Sequence, residues 1–299
     1  MPTDAVLREL LVRHLEVWLP GVAHRARRAT VVLAYDGDDS GTPEAALGAV
    51  AEYADRLRGR QLTVVVLAGG GTELAARLGV AEAALPSEVA VHLVPGGPDR
   101  LPVALKAAGA AGAPLLSYVD GPVDPAVLRG AAGGRPAEVL LVSSGPVPPT
   151  RPALADAGFP LVTEVDLVPT DGTPARRLAF ATGFDRSLEA FKEALWAVDE
   201  YAGVRYRDPA DPAGRVLDIA ADPEPGPLRR ELLAELTRSG PRTVTELRRY
   251  ALTSTVYRAA DAVRALTGLL ASGAVTRDPE HGRLGGDVVV TAAAPASAA

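Results

Sequence analysis

Four short apolar runs, each ending in an acidic, glycine or serine turn, constrain the fold of this chain more than any other feature. The runs are ATVVLAY at 29–35, LTVVVL at 62–67, PLLSYV at 114–119 and EVLLV at 138–142. Helical stretches rich in Ala and Leu follow the first two runs, at about residues 43–57 and 73–78. Continuous apolar strands that alternate with helices are typical of a parallel sheet covered on both faces. The sequence therefore predicts an α/β domain over residues 1–205, with a mostly parallel sheet and helices on both faces.

The turns that follow the strands outline one candidate ligand site. In open parallel sheets, ligands bind outside the carboxyl ends of the strands, where the loops leave the sheet. The loops expected to meet there cover residues 35–41, 68–71, 95–98 and 120–123. We call the space between these four loops the crevice.

The last third of the chain has a different pattern. Residues 206–227 are rich in Pro and Asp and are predicted to be a linker. Three helical stretches and a two-stranded hairpin follow between residues 228 and 292, a pattern typical of a winged-helix domain. Residues 293–299 are predicted to be a disordered tail.

Composition excludes several kinds of chemistry. The 299 residues include no Cys, so disulfides, thiolate nucleophiles, Cys zinc sites and iron–sulfur clusters are excluded. The four His are scattered over different elements, and we predict no metal site. No apolar run approaches the roughly 18 residues of a membrane span, so we expect no membrane association. The first residues carry acids and lack an apolar signal core, so we expect a cytoplasmic protein without a secretory signal.

Several short motifs lie in the same order as in a known family. They are YDG at 35–37, GTP at 41–43, YVD at 118–120, AFAT at 179–182, LEAFKEALWAVD at 188–199 and TVTEL at 243–247. Together these motifs resemble the three-Cys-motif partner (TcmP) family of class I S-adenosylmethionine (SAM) methyltransferase-like proteins. The resemblance covers nearly the whole chain, from about residue 13 to residue 286.

The resemblance implies a fold, a cofactor and a partner. The fold would be Rossmann-like, of the class I methyltransferase type, with a C-terminal winged helix. The partner would be a protein of the radical-SAM type, which would carry any Cys-based chemistry because this chain has no Cys. If the chain is an enzyme, it would transfer a methyl group from SAM. The catalytic residue would be Asp120, and the cofactor would contact Asp36, Gly37, Gly41, Ala68 and Gly69.

Three departures from the family pattern fall in the crevice. The first loop carries Asp38, Asp39 and Ser40, where a small glycine loop would let the backbone approach the cofactor. Ala68 stands where an acid would accept both ribose hydroxyls. Such charge-assisted hydrogen bonds are worth about 1.5–3 kcal/mol each. The Pro-Phe that would follow Asp120 is also missing. The sequence therefore favours a degenerate member that binds SAM weakly or does not bind it.

The crevice residues also allow other interpretations. Asp36 could bind a cation together with Asp38 and Asp39, although a solvated acidic turn is favoured. Asp120 could be a helix cap in place of a catalytic group. The glycines at 69–71 could cradle the phosphate of a different nucleotide, although a tight turn is favoured because P-loop and dinucleotide spacings are absent.

Charge is divided unevenly along the chain. Residues 226–299 hold 10 Arg and 7 acids, so they carry +3, while the preceding residues carry −9 and the whole chain −6. A basic module on an acidic body is typical of nucleic-acid binding. Packing or protein contact is the preferred alternative, since the expected recognition helix at 255–271 has few basic residues. The candidate contacts for nucleic acid or a partner are Arg242, Arg248, Arg249, Arg258 and Arg264.

Overall fold

A computed structural model describes residues 2–37, 41–69, 72–145, 150–211 and 213–293. The chain divides into two compact units, Met1–Ile219 and Ala220–Ala299. None of the described helices is both long and apolar enough to cross a bilayer.

The first unit alternates strands and helices, as the sequence predicts. Its helices are α1 (Pro2–Arg25), α2 (Thr42–Glu52), α3 (Thr72–Glu82), α4 (Leu101–Ala107), α5 (Pro125–Ala131), α6 (Thr150–Asp156) and α7 (Asp185–Trp196). Its strands are β1 (Arg28–Tyr35), β2 (Gln61–Ala68), β3 (Val89–Pro95), β4 (Leu115–Asp120), β5 (Ala137–Ser144), β6 (Leu161–Pro169), β7 (Arg176–Thr182), β8 (Val204–Arg207) and β9 (Val216–Leu217). Short 3₁₀ turns lie at Ala54–Leu57 and Pro98–Arg100.

All nine strands form one sheet in the order β3-β2-β1-β4-β5-β7-β6-β8-β9. The first five of these are parallel to one another, and every neighbouring pair beyond β5 is antiparallel. The order 3-2-1-4-5 at the parallel end is that of Rossmann-like sheets. The predicted fold class, an α/β Rossmann-like fold with a mostly parallel sheet and helices on both faces, is confirmed.

Helices cover both faces of the sheet. Helix α5 contacts α4 and α6, and the three helices share a core with alternate strand residues such as Val32, Leu67 and Val139. Helix α1 contacts α2 and α7, and α2 contacts α3. Because side chains alternate across a strand, the residues between those of the first core point to the α1 face. This alternation places the side chains of Asp120 and Arg176 on the α1 face.

Helix α1 continues past a proline. It runs to Arg25 with Pro20 inside it. Leu19 and Ala23 extend the buried stripe of the helix past the proline, so burial favours continuation of the helix.

The segment interpreted as a linker differs from its expected form. Strand β8 ends at Arg207 and β9 covers Val216–Leu217, so part of residues 206–227 adds two short antiparallel strands to the main sheet. The first unit accordingly extends to Ile219, which is buried. Tyr206 is fully buried, and its hydroxyl donates to the carbonyl of Leu195 at 2.7 Å. Residues that pack on the sheet therefore lie within a segment whose Pro and Asp content is typical of a linker.

The second unit contains α8 (Gly226–Ser239), β10 (Arg242–Thr243), α9 (Val244–Ser254), α10 (Ala259–Ala271), β11 (Val275–Asp278) and β12 (Val289–Ala292). The three strands form an antiparallel sheet in the order β10-β12-β11. Thr243 and Glu246 form a capping box at the start of α9. Helix α10 begins at Ala259, four residues later than predicted, because Thr255 is extended. The winged-helix assignment stays a prediction, and residues 294–299 of the predicted tail lie outside the described residues.

Candidate functional site

The predicted crevice loops leave the same edge of the sheet. Tyr35 at the end of β1 pairs with Asp120 at the end of β4, and Ala68 at the end of β2 pairs with Pro95 at the end of β3. The backbone N–H of Asp36 donates to the carbonyl of Asp120 at 2.8 Å. The six residues predicted to bind the cofactor or act in catalysis therefore all belong to this edge.

The first loop leaves β1 through Asp36 and Gly37, both of which are exposed. Gly41, where the chain enters α2, has a φ of 78°, a left-handed conformation that favours glycine. A guanidinium nitrogen of Arg8 lies 3.7 Å from the place that a Cβ on Gly41 would take. Asp38, Asp39 and Ser40, on which the predicted acidic loop and the alternative cation site depend, lie outside the described residues.

The end of β2 offers no side-chain acceptor to the crevice. Ala68 is buried, with 2% of its surface exposed, and its carbonyl accepts the N–H of Gly96 at 3.0 Å. Gly69 is exposed. The two glycines at 70 and 71, part of the alternative phosphate cradle, lie outside the described residues.

Asp120 belongs to an ion cluster that the sequence did not predict. Its Oδ1 atom accepts a hydrogen bond from Nη2 of Arg176 at 2.5 Å, and Nη1 of the same guanidinium donates to Oδ1 of Asp4 at 2.8 Å. Arg176 begins β7, and Asp4 lies in the first turn of α1. We call Asp4, Asp120 and Arg176 the edge cluster.

Burial and neighbouring acids perturb the edge cluster. Burial raises the pKa of Asp120, the Arg176 hydrogen bond and charge oppose that rise, and the charges of Asp4 and Asp36 add to it. Burial works against the charge of Arg176, but the hydrogen bond and charge of Asp120 outweigh it and raise the arginine pKa. Burial, with the charge of Asp120, also raises the pKa of Tyr118. Asp120 is thus held in an ion pair with Arg176.

The floor of the crevice is closely packed at Gly121. A Cβ at this position would lie 3.1 Å from Cβ of Asp36 and 3.1 Å from Cγ of Pro98. Pro98 is itself buried. The loop after β3 therefore packs on the loop after β4, and Gly121 is needed for that approach. A small cavity at the opposite edge of the sheet is lined by Ala23, Arg28 and Leu57, so it does not belong to the crevice.

A second acid cluster lies deeper on the same face of the sheet. Nε2 of His14 in α1 is 2.8 Å from Oε2 of Glu138 in β5, and the Thr182 hydroxyl of β7 donates to Oε1 of Glu138 at 3.1 Å. The His14 ring packs edge-on against Phe180 and Phe191. We call His14, Glu138 and Thr182 the interior cluster.

Sequence reasoning missed the interior cluster, although a signal was present. His14 lies within the apolar stripe of α1, and Glu138 begins an otherwise apolar strand. Burial opposes the charge of Glu138, but hydrogen bonds from His14, Ser187 and Thr182 and the charge of His14 outweigh it and lower the pKa of Glu138. A polar residue at each of two apolar positions indicates a buried pair. Over the described ranges, no three His, Asp or Glu side chains group as metal ligands would.

The five candidate arginines of the second unit differ in their contacts. Arg258 donates to Asp261 and to the carbonyl of Ala221, and Arg264 donates to Asp222 and to the carbonyl of Pro223. Arg242 lies 3.3 Å from Glu246. Arg248 and Arg249 lie on α9 and are exposed. Arg242, Arg258 and Arg264 are therefore paired with acids of their own unit.

Comparisons with known proteins give distant structural matches. Spermidine synthase from Thermotoga maritima matches with 10% identity and a TM-score of 0.39, over 64% of this chain and 65% of that one. A SAM-dependent methyltransferase from Agrobacterium tumefaciens matches with 11% identity and a TM-score of 0.37, over 56% and 61%. The O-methyltransferase TomG from Streptomyces achromogenes, solved with SAM, matches with 19% identity and a TM-score of 0.33, over 57% and 79%. The chain spans less than two thirds of the first two proteins. No family model and no curated protein matches the chain.

Proposed function

We propose that this chain is a methyltransferase-like protein of the three-Cys-motif partner type whose SAM crevice is degenerate, and that it acts with a protein partner. The observation that carries the proposal is Ala68. Its buried methyl group stands at the end of β2, where a ribose would need an acid, and its carbonyl is already bonded to Gly96. Without that acid, a nucleoside loses two charge-assisted hydrogen bonds, each worth about 1.5–3 kcal/mol.

Two further features support the degenerate crevice. Asp120, the expected catalytic residue, is bound to Arg176. Pro98 and Asp36 pack against Gly121 and narrow the space between the loops. The residues present therefore do not fit SAM in the manner that the family resemblance implies, and we derive no methyl-transfer step for this chain.

Calorimetric titration of the full chain with SAM and with S-adenosylhomocysteine tests the proposal. We expect no binding heat at millimolar ligand, whereas micromolar binding by the wild type would contradict the degenerate crevice. Ala68→Asp supplies the missing acceptor, and Ala68→Asn has the same shape without the charge. Tighter binding by Ala68→Asp alone would support the assignment of this position, provided that both variants keep their melting temperature.

A protein is the favoured partner of the second unit. Three of its candidate arginines are paired with Asp222, Glu246 and Asp261, so they offer less charge to phosphates. Nucleic-acid binding would show a steep salt dependence, because each neutralised phosphate releases counterions. We expect electrophoretic mobility of nucleic acid to be unchanged by the chain at low and at moderate salt. Retardation that disappears in the Arg248→Ala, Arg249→Ala double variant would overturn this expectation.

A further inference from the structure

One guanidinium joins the first turn of α1 to the crevice. Arg176 at the start of β7 donates through Nη1 to Asp4 and through Nη2 to Asp120, at 2.8 Å and 2.5 Å. The exposed fractions of these side chains are 15% for Arg176, 20% for Asp4 and 26% for Asp120. The two carboxylates come from elements far apart in the chain, and the arginine is what brings them together.

The charges at this edge favour a cation between the carboxylates. Asp36 adds a third negative charge at this edge, which acts on Asp120, while the guanidinium pairs with Asp4 and Asp120. Removal of the guanidinium would leave partly buried carboxylates facing one another, which is unfavourable in a medium less polar than water. The groups that act on Arg176 from the neighbouring elements are Asp4, Asp120 and Tyr118, and none of them is a second cation.

The hydrogen-bonding of Arg176 is incomplete. Its Nε atom is buried and has no acceptor among the residues that the structure describes. A buried donor without a partner carries a free-energy cost. The guanidinium therefore binds both carboxylates, while its Nε–H group has no acceptor among the described residues.

We propose that Arg176 is an internal cation that latches the first turn of α1 to the crevice. The latch rests on the degenerate crevice proposed above, because it occupies the Asp120 carboxylate that a cationic ligand such as a sulfonium would approach. In the same turn of α1, Thr3 is buried, and Pro2 lies 3.8 Å from the place of a Cβ on Gly203. Without the guanidinium, the first turn of α1 is no longer held at the crevice, and the space that the guanidinium leaves binds a small planar cation.

Arg177 offers a matched control within the same strand. Its side chain is 17% exposed and pairs with Asp166 at 2.8 Å, so its burial and chemistry resemble those of Arg176. By the alternation of the strand, it points to the opposite face of the sheet, away from α1. Arg177→Ala therefore removes a similar ion pair without touching the latch.

Amide hydrogen exchange of the full chain is the decisive measurement. The amides of residues 6–9 are expected to donate to the carbonyls of the first turn, because α-helical bonds join residues four apart. We expect Arg176→Ala to speed exchange at residues 6–9 about 10-fold, and Arg177→Ala to leave it unchanged. Methylguanidinium at low millimolar concentration should slow this exchange again in Arg176→Ala and raise its melting temperature by about 2–4 °C. Equal exchange in the two variants, or no effect of methylguanidinium on Arg176→Ala, would overturn the latch.

A milder variant keeps the test valid if Arg176→Ala does not fold. Asp4→Asn leaves the Arg176–Asp120 pair in place and removes only the charge on α1. It should still speed exchange at residues 6–9, and unchanged exchange would again overturn the latch. Because none of these readouts uses SAM, they are separate from the calorimetric test. Wild-type SAM binding would defeat the degenerate crevice, whereas a failed exchange test would defeat only the latch.

Discussion

The edge cluster and the interior cluster fasten the same helix to the same strand, yet they behave as opposites. Both join α1 to β7, through Arg176 at the start of the strand and Thr182 at its end. The edge carboxylates are 20% and 26% exposed, whereas the side chains of His14 and Glu138 are 2% and 3% exposed. The pKa of Asp120 is raised and that of Glu138 is lowered.

The difference follows from how completely each acid is satisfied. Glu138 is the more deeply buried, but it receives hydrogen bonds from three side chains and the charge of His14, which together exceed the cost of burial. Asp120 receives the guanidinium of Arg176 and faces the negative charges of Asp4 and Asp36, so burial prevails. Depth of burial alone therefore does not decide whether the pKa of an acid is raised or lowered. The hydrogen bonds of the interior cluster stabilise the folded state, whereas the charges of the edge cluster lower its stability.

The largest expected effect is the removal of His14. In His14→Ala, Glu138 loses a hydrogen-bond partner and the buried ring leaves a cavity beside Phe180 and Phe191, which together cost about 3–5 kcal/mol of unfolding free energy. Urea unfolding at neutral pH measures the loss. The double variant His14→Leu, Glu138→Leu removes both buried polar groups and should lose less than His14→Ala. A single variant within about 1 kcal/mol of the wild type would show that the pair contributes little.

Removal of the Thr182 hydroxyl should cost less, about 2 kcal/mol, because one hydrogen bond to a charged group is lost. This hydroxyl donates to Glu138 and accepts the N–H of Phe184 at 3.2 Å, and Thr182→Val removes both bonds. Ser117→Ala is the control, since its buried hydroxyl has no hydrogen-bond partner within the described part of the chain. Equal losses in the two variants, again by urea unfolding, would contradict the role given to Thr182.

Packing in the crevice should give a smaller effect. Gly121→Ala places a Cβ 3.1 Å from two atoms of the neighbouring loops, and such overpacking costs about 1–2 kcal/mol. Gly69→Ala, in the same crevice, meets no atom within 4 Å and should stay within about 0.5 kcal/mol of the wild type. Thermal unfolding of both variants checks this pair. If Gly121→Ala is as stable as Gly69→Ala, the loops around Gly121 are not closely packed. The crevice would then be more open than the surroundings of the interior cluster and able to admit a ligand.

The sequence predicts the sheet at the parallel end better than at the antiparallel end. Strands β1, β2, β4 and β5 are continuous apolar runs, as burial on both faces requires. Strand β6 carries Thr163, Glu164 and Asp166 among its apolar residues, and these polar groups conceal it. Glu164 accepts the N–H groups that begin α6, and Asp166 pairs with Arg177 and Arg207. Their partners are supplied by tertiary structure, so local pattern cannot identify them as strand residues.

The location of the crevice follows from sequence, but its electrostatics do not. The rule that loops meet at the carboxyl ends of parallel strands brings Asp36, Ala68 and Asp120 to one edge. Arg176 is 56 residues from Asp120 and 172 residues from Asp4, and it reaches both only because β7 pairs antiparallel with β5. No local spacing encodes that register. The cation that pairs with Asp120 can therefore be identified from the fold but not from the local sequence.

The smallest expected effect is a pH dependence of opposite sign in the two clusters. Asp120 has its pKa raised above the usual 3.8, so its stabilising contribution is full below pH 3.8 and is lost as the pH rises through the raised value. Glu138 has its pKa lowered below 4.5, so its contribution is full above pH 4.5 and is lost as the pH falls through the lowered value. Urea unfolding between about pH 3 and pH 7 should show that the difference between wild type and Glu138→Gln grows with pH. The difference between wild type and Asp120→Asn should shrink over the same range, by a smaller amount because solvent screens the partly exposed carboxylate. If both stability differences changed with pH in the same direction, Arg176 would satisfy Asp120 as fully as His14 satisfies Glu138.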